Sequence, residues 1–389
     1  MRRKVFISSI FFLFITIVVA TVLSVIVTEP SSENAGIRAF YKEPQNQIDV
    51  VIIGPSSTFT TFLPLIAYHK YGITGAVYAL PGMVTEQYIH VVKEVMEYQT
   101  PKVLLIAIDN MSPLQRKHPD LKSALKSFPI LKPSINKIKI LQAFKKELNF
   151  DNREILEYYF PIFRFHSRWK TLRENSVLFD SNPHKGALIY FKEFYEKNSN
   201  INPYESMQRK IPQIDEYRKK RNPNLFIRDL IYNVRGQENS TDKEIRKKEI
   251  AILQYVKAIE DLFFYVSTLK NTKVVIIETP SLIYDRNFER IQYIFHTAKK
   301  YGLTSFYMGN CKELNIDLNN EFVDEHHLNF FGAYKATDYL SNLLINKYGL
   351  KDKRNDSKYK SWDEEYEFYR YFIRSRYNVD IDFDYLKKL

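Results

Sequence analysis

Cysteine is almost absent from this chain: Cys311 is the only one in 389 residues. A single thiol excludes an intramolecular disulfide and a zinc site built on cysteines. It does not fix the compartment, because a cytosolic chain and an exported chain from an organism that does without disulfides look alike in this respect. Acidic residues are also in short supply, 45 Asp and Glu against 57 Lys and Arg, which leaves a formal net charge of +12. No internal repeat, sustained heptad pattern or low-complexity tract is present, so solenoids and coiled coils are set aside. What is abundant is apolar side chain. Hydrophobic residues make up 45% of the chain, enough to build a core for one large domain or two ordinary ones.

The N-terminus carries the clearest signal. After Arg2, Arg3 and Lys4, residues Val5 to Val27 contain neither charge nor proline, and a helix of that length spans the ~30 Å hydrocarbon core of a bilayer. A cleaved signal peptide would have a shorter apolar region and a small-x-small cleavage site, which is not found before Pro30. The pattern therefore favours an uncleaved single-pass anchor over residues 1–28, with its basic tip in the cytoplasm and all that follows outside. Residues 29–47 read as a polar linker.

The excess of positive charge is concentrated. From Arg116 to Lys146 a run of lysines and arginines meets Asp120 as its only acid. Such a stripe can bind nucleic-acid phosphates. On an extracytoplasmic domain the partners at hand are instead anionic lipid headgroups and anionic surface polymers, so no nucleic acid is expected; a merely solvated basic face is the plainer alternative.

Residues 48–350 read as an α/β domain. Short apolar strands near Asp49–Ile53, Thr74–Ala79 and Val103–Ile108 alternate with helices near Thr60–Tyr71 and Thr85–Gln99. The alternation resumes with a helix from Lys243 to about Leu269, a strand at Lys273–Glu278, a helix near Asn287–Tyr301, a strand near Thr304–Tyr307 and a helix from Phe331 to about Asn346. That pattern predicts a three-layer α/β/α architecture around a mostly parallel sheet. Between these halves, about residues 111–240, the chain is basic, aromatic and rich in proline, and reads as a large helical insertion. Residues 351–389 form a charged tail rich in Tyr and Phe, expected to be helical and to pack back on the core.

Open parallel sheets build their sites at the carboxyl ends of strands. Three loops lie there: Gly54-Pro55-Ser56-Ser57, Pro81-Gly82 and Asp109-Asn110. Ser56 alone reads equally as a helix cap. A base changes that reading. In "VDEHHLNFFGAY", Val323 to Tyr334, Asp324 and His327 are three residues apart, so the carboxylate can reach the imidazole and leave its far nitrogen free to take a serine proton. Asn329 and Gly332 suit a turn into the last helix. Ser57 competes with Ser56 as nucleophile. His326 and His327 could be metal ligands, although no second ligand cluster accompanies them and no metal is expected. Asp324 and Glu325 could form a glycosidase acid/base pair, but such carboxylates face each other across a cleft, which sequence neighbours rarely do. In the insertion, "FPIFRFHSRWK" gathers His166, Arg168 and Trp169. These could hold a sugar and a phosphate or carboxylate, or could pack on the sheet or dip toward lipid.

"GPSS" after the first strand, Gly82 after the second, a polar pair after the third and "DEHHLN" before the final helix together resemble the four sequence blocks of the SGNH (GDSL-type) hydrolase superfamily. The likeness is to its membrane-anchored extracellular branch, which includes the D-alanyl-transfer protein of teichoic-acid systems and the O-acetylation proteins of alginate assembly. It covers about 200 residues in all, in two blocks flanking the insertion. The resemblance implies Ser56 as nucleophile, His327 as base and Asp324 as its orienting acid, with an oxyanion hole from the Ser56 and Gly82 amides and the Asn110 side chain. It implies a serine esterase or O-acyltransferase without a cofactor. Its substrate would be ester-linked acetyl or D-alanyl groups on a cell-surface polysaccharide or teichoic-acid-like polymer, and a multispanning O-acyltransferase would be a partner. Two departures stand out: Pro55 replaces the usual Asp or Ser, and the third block reads "IDNM" in place of G-x-N-D. A fold-retaining, non-catalytic platform for a membrane acyltransferase is the alternative reading.

Overall fold

The computed structural model describes residues 2–29, 31, 34–113, 125, 127–148, 151–172, 223, 225–237, 240–282, 288–309, 313–318 and 320–377. Its centre is a five-stranded sheet, β1 (Val50–Gly54), β2 (Gly75–Ala79), β3 (Val103–Ala107), β4 (Lys273–Glu278) and β5 (Thr304–Tyr307). All neighbours are parallel, in the order β2-β1-β3-β4-β5. Every residue of β1, β2 and β3 is buried, as expected where helices cover both faces of a parallel sheet. The chain winds from β1 out to β2, then crosses back to β3 on the other side of β1. The crevice created by that reversal lies at the carboxyl end of β1.

Twelve helices accompany the sheet among the described residues. In chain order they are α1 (Arg2–Val27), α2 (Ala35–Lys42), α3 (Pro64–Tyr71), α4 (Tyr88–Tyr98), α5 (Ile135–Leu148), α6 (Asn152–Tyr159), α7 (Ile162–Phe165), α8 (Leu225–Arg235), α9 (Asp242–Ser267), α10 (Phe288–Lys300), α11 (Phe330–Tyr348) and α12 (Lys360–Tyr377). Strand alternation sorts them into two layers. Val50 and Ile52 point into a core with α3, α11 and α12, whereas Val51 and Ile53 point into a second core with α2, α4, α5, α9 and α10. Helix α1 stands apart, long and apolar enough to cross a membrane, and Ser24 and Val27 are its buried residues.

Two sequence expectations change. Residues 29–47 are not simply a linker, because α2 lies within them and buries Ile37 and Phe40 completely against the sheet. The segment is short, but spacing its apolar residues three apart gives it a packing face. The helix expected over Thr60–Tyr71 starts only at Pro64, a favoured first position, after a separate 3₁₀ turn over Ser56–Thr60. The described parts of 111–240 are helical but do not close a core of their own. Phe128, Ile140, Leu141, Phe144 and Tyr158 join the second core beneath the sheet.

The C-terminal segment packs as expected over its described part. Trp362, Tyr366, Tyr369 and Ile373 of α12 are buried against α3, with the Trp362 ring 5.3 Å from Tyr68 and His69 stacked 3.6 Å from Tyr366. Residues 378–389 lie outside the described residues. Removing a fully buried aromatic leaves a cavity costing about 3–5 kcal/mol. Trp362→Ala in the full-length, detergent-solubilised protein should therefore lower unfolding stability by about that amount, read from denaturant midpoints. A change within error would mean that the C-terminal helix does not hold the domain together.

Candidate active site

The first loop shows why a glycine precedes the serine. A side chain at Gly54 would put its Cβ 2.8 Å from Ala107 Cβ and 2.9 Å from Thr58 Cγ2, closer than real contacts allow. With only a hydrogen there, β3 and the 3₁₀ turn close tightly on the end of β1. Pro55 is extended, its carbonyl accepts from Thr58 N–H at 3.2 Å, and Ser56 begins the turn. Losing a backbone N–H at Pro55 leaves the turn intact. Ser56 stays partly exposed, whereas Ser57 is buried, with no hydrogen-bond partner for its hydroxyl among the described residues. The turn itself thus separates the two serines.

The second element is the loop before α11. Val323 N–H donates to His327 O at 2.8 Å and Asn329 N–H to Glu321 O at 3.0 Å, pinching residues 323–328 into a closed bend. Asn329 caps α11, accepting from Phe331 N–H and Gly332 N–H at 3.0 and 3.2 Å. Gly332 is needed there because a Cβ would fall 2.5 Å from Glu321 O. Inside the bend, Asp324 Oδ1 accepts from the backbone N–H groups of His326 and His327 at 2.8 and 2.9 Å. Both its oxygens lie 2.8 Å from His327 Nδ1. Burial works to raise the Asp324 carboxyl, but the His327 contact and the His326 amide outweigh it and hold the group below the ordinary aspartate range. The far nitrogen, His327 Nε2, is 2.9 Å from Ser56 Oγ.

Residues 271 apart in sequence meet because the two loops are fastened to each other. Leu328 N–H donates to Thr60 Oγ1 at 3.3 Å, and Leu63 N–H donates to Thr337 Oγ1 at 2.8 Å. On the far side, Leu282 N–H and Ser281 Oγ–H donate to Glu325 O at 2.9 and 3.0 Å, tying the bend to the end of β4. Thr60, Thr337 and Ser281 were not legible as site residues. A hydroxyl that anchors a loop leaves no spacing pattern.

The other two loops follow the strands that flank β1. Leu80 N–H donates to Gly54 O at 3.0 Å, and Met83 N–H to Leu80 O at 3.0 Å closes a turn over Pro81-Gly82. Gly82 has φ +66°, the left-handed value a type II turn requires after proline. Neither Ser56 N–H nor Gly82 N–H has an acceptor among the described residues. After β3, Met111 N–H donates to Ile108 O at 2.9 Å, and Asn110 sits half-buried in that turn. Asp109 faces inward and accepts from Thr279 N–H and its hydroxyl; desolvation pushes the Asp109 carboxyl up against those bonds. Buried Arg290 holds the turn from below, donating to Ile108 O at 2.6 Å and Met111 O at 2.9 Å while pairing with Glu278 at 3.1 Å. The departure from G-x-N-D is therefore accompanied by a turn stapled through Asp109 and Arg290.

The insertion residues go elsewhere. Arg168, which the sequence offers either to a substrate or to packing and lipid, donates from Nη1 to Val27 O at 3.0 Å and approaches Glu29 at 3.3 Å, at the end of α1. His166 is exposed beside it, its Nδ1 3.3 Å from Phe163 O, and the Trp169 side chain lies outside the described residues. Among the described residues no group of three or more His, Cys, Asp or Glu could hold a metal ion.

The depressed Asp324 carboxyl has a consequence for acid stability. Its contribution is complete above the unfolded value of about 3.9 and is lost as pH falls through the lower folded value. The stability gap between wild type and Asp324→Asn, measured by chemical denaturation, should thus be constant at neutral pH and shrink below about pH 4; a gap independent of pH would show that the carboxylate is not stabilised by its partners.

No protein-family model and no curated protein matches this chain.

Proposed function

We propose that this protein is an SGNH-type serine esterase or O-acyltransferase, anchored by α1 with its α/β domain outside the cytoplasm. It acts on ester-linked acyl groups of a cell-surface glycan or teichoic-acid-like polymer. The observation that carries this reading is the unbroken relay from Ser56 Oγ through His327 at 2.9 Å to Asp324 at 2.8 Å, at the carboxyl end of β1. A capping serine has no need of an oriented imidazole. The choice of polymer rests on the sequence resemblance and on the anchor.

In this mechanism the Asp324 carboxylate fixes the His327 tautomer with its proton on Nδ1, so Nε2 accepts the Ser56 proton as Oγ bonds to the acyl carbon. Charge then builds on the former carbonyl oxygen, which the Ser56 and Gly82 amides receive; Asn110 borders the same crevice as a third candidate donor. His327 returns the proton to the departing alcohol oxygen, leaving an acyl-serine. Water or a sugar hydroxyl, deprotonated by the same nitrogen, attacks that ester and frees Ser56. Water as acceptor gives an esterase, and a sugar hydroxyl gives a transferase.

A fluorophosphonate probe should label the wild type and Ser57→Ala but not Ser56→Ala. Absence of labelling in the folded wild type would instead point to a non-catalytic platform. Asp324→Asn should reduce ester hydrolysis by roughly 10³- to 10⁴-fold through the wrong tautomer, measured as kcat on a chromogenic acetyl ester. Unchanged turnover would remove Asp324 from the relay.

A further inference from the structure

The basic aromatic segment between β3 and β4 has a position the proposed chemistry does not use. Helix α1 is exposed along nearly all its length, and its two buried residues, Ser24 and Val27, lie in its last turn. What covers them comes from 138 or more residues downstream: Ile162 N–H donates to Ser24 Oγ at 3.1 Å, and Arg168 Nη1 to Val27 O at 3.0 Å. Arg168 also pairs with Glu29 just past the helix end, at 3.3 Å. A cation on the terminal carbonyls is the favourable partner for a helix C-terminus.

The height of this contact along α1 is fixed by helix geometry. With Arg2 to Lys4 at one headgroup layer, the ~30 Å hydrocarbon core is used up after about 20 residues, which places the opposite boundary near Ser24. The segment bonded to Ser24 and Val27 therefore lies at the boundary between acyl chains and headgroups. Its surface suits that place. Phe163 is 52% exposed and Leu156 49%, with Phe160 packed against Phe163 at 6.1 Å, and Arg153 and Arg164, both paired with Glu157, lie on the same helical pair. One exposed aromatic and one exposed aliphatic side chain beside arginines suit an interfacial anchor.

We infer that residues 152–168, comprising α6, α7 and the turn that follows, form a second membrane contact: a collar on the exit of α1 whose Phe163 side enters the interface of the outer leaflet. The catalytic domain is thereby held at a fixed orientation to the bilayer instead of swinging on a tether. This rests on α1 crossing the membrane, as in the function proposed above.

The test uses the full-length protein in lipid nanodiscs, in a Cys311→Ser background, with a nitroxide attached in turn at Leu13→Cys, Phe163→Cys and Glu364→Cys. Position 364 is an exposed residue of α12, on the opposite layer of the domain. Relaxation by oxygen, which concentrates in lipid, is compared with relaxation by a water-soluble nickel chelate. The oxygen-to-nickel ratio at 163 should be several-fold that at 364 and lie between the values at 364 and 13, and adding Arg168→Ala should lower it toward the value at 364. A lipid-like signal at 13 with a water-like signal at 163 would overturn the collar and leave the anchor standing. A water-like signal at 13 would overturn both.

Discussion

The contact between Ser56 and His327 depends on α11 being seated against the turn that follows β1. Neither loop is held by the serine and histidine themselves. Leu63 N–H on Thr337 Oγ1 and Leu328 N–H on Thr60 Oγ1 bring the two chain segments together, and the apolar residues of α11 and α3 then exclude water from the joint. Buried backbone donors of this kind are costly to leave unmade, so the joint has a narrow geometry. A shift of α11 by a fraction of a turn would leave the imidazole out of reach.

The same economy appears on the other side of the crevice. Arg290 is buried, yet its charge is matched by Glu278 and two carbonyls of the turn after β3. A buried guanidinium needs such a full set of acceptors, and supplying them fixes the turn that carries Asp109 and Asn110. Together with the proline-glycine turn after β2, this sets hydrogen-bonded backbone turns after both strands that flank β1.

The described insertion helices work differently from what their composition suggests. They add apolar side chains to the second core, and they reach the last turn of α1 through Ile162 and Arg168. Arg168 illustrates the limit of composition: an arginine beside His166 and Trp169 has the same chemistry whether its partner is a phosphate or a pair of helix-terminal carbonyls, and only the fold supplies the partner.

The strands and most of the helices were legible because burial on both faces of a parallel sheet demands continuous apolar runs, which single residues report locally. β4 and β5 fall where the sequence places them, and α12 packs where its Tyr and Phe content implies. Asp324 and His327 were also legible as a pair, since three residues in a bend leave few alternatives for a carboxylate and an imidazole. The α2 helix was missed because eight residues between polar neighbours carry too short a pattern to register. By itself the sequence determined the sheet, the apolar N-terminal helix and the local Asp324–His327 bond, all consequences of short-range periodicity and spacing. Tertiary structure alone decided that Ser56 and not Ser57 faces the imidazole, and that Arg168 faces the end of α1. Both choices turn on which long-range contact captures a polar group, and closing a loop of more than a hundred residues leaves no local trace.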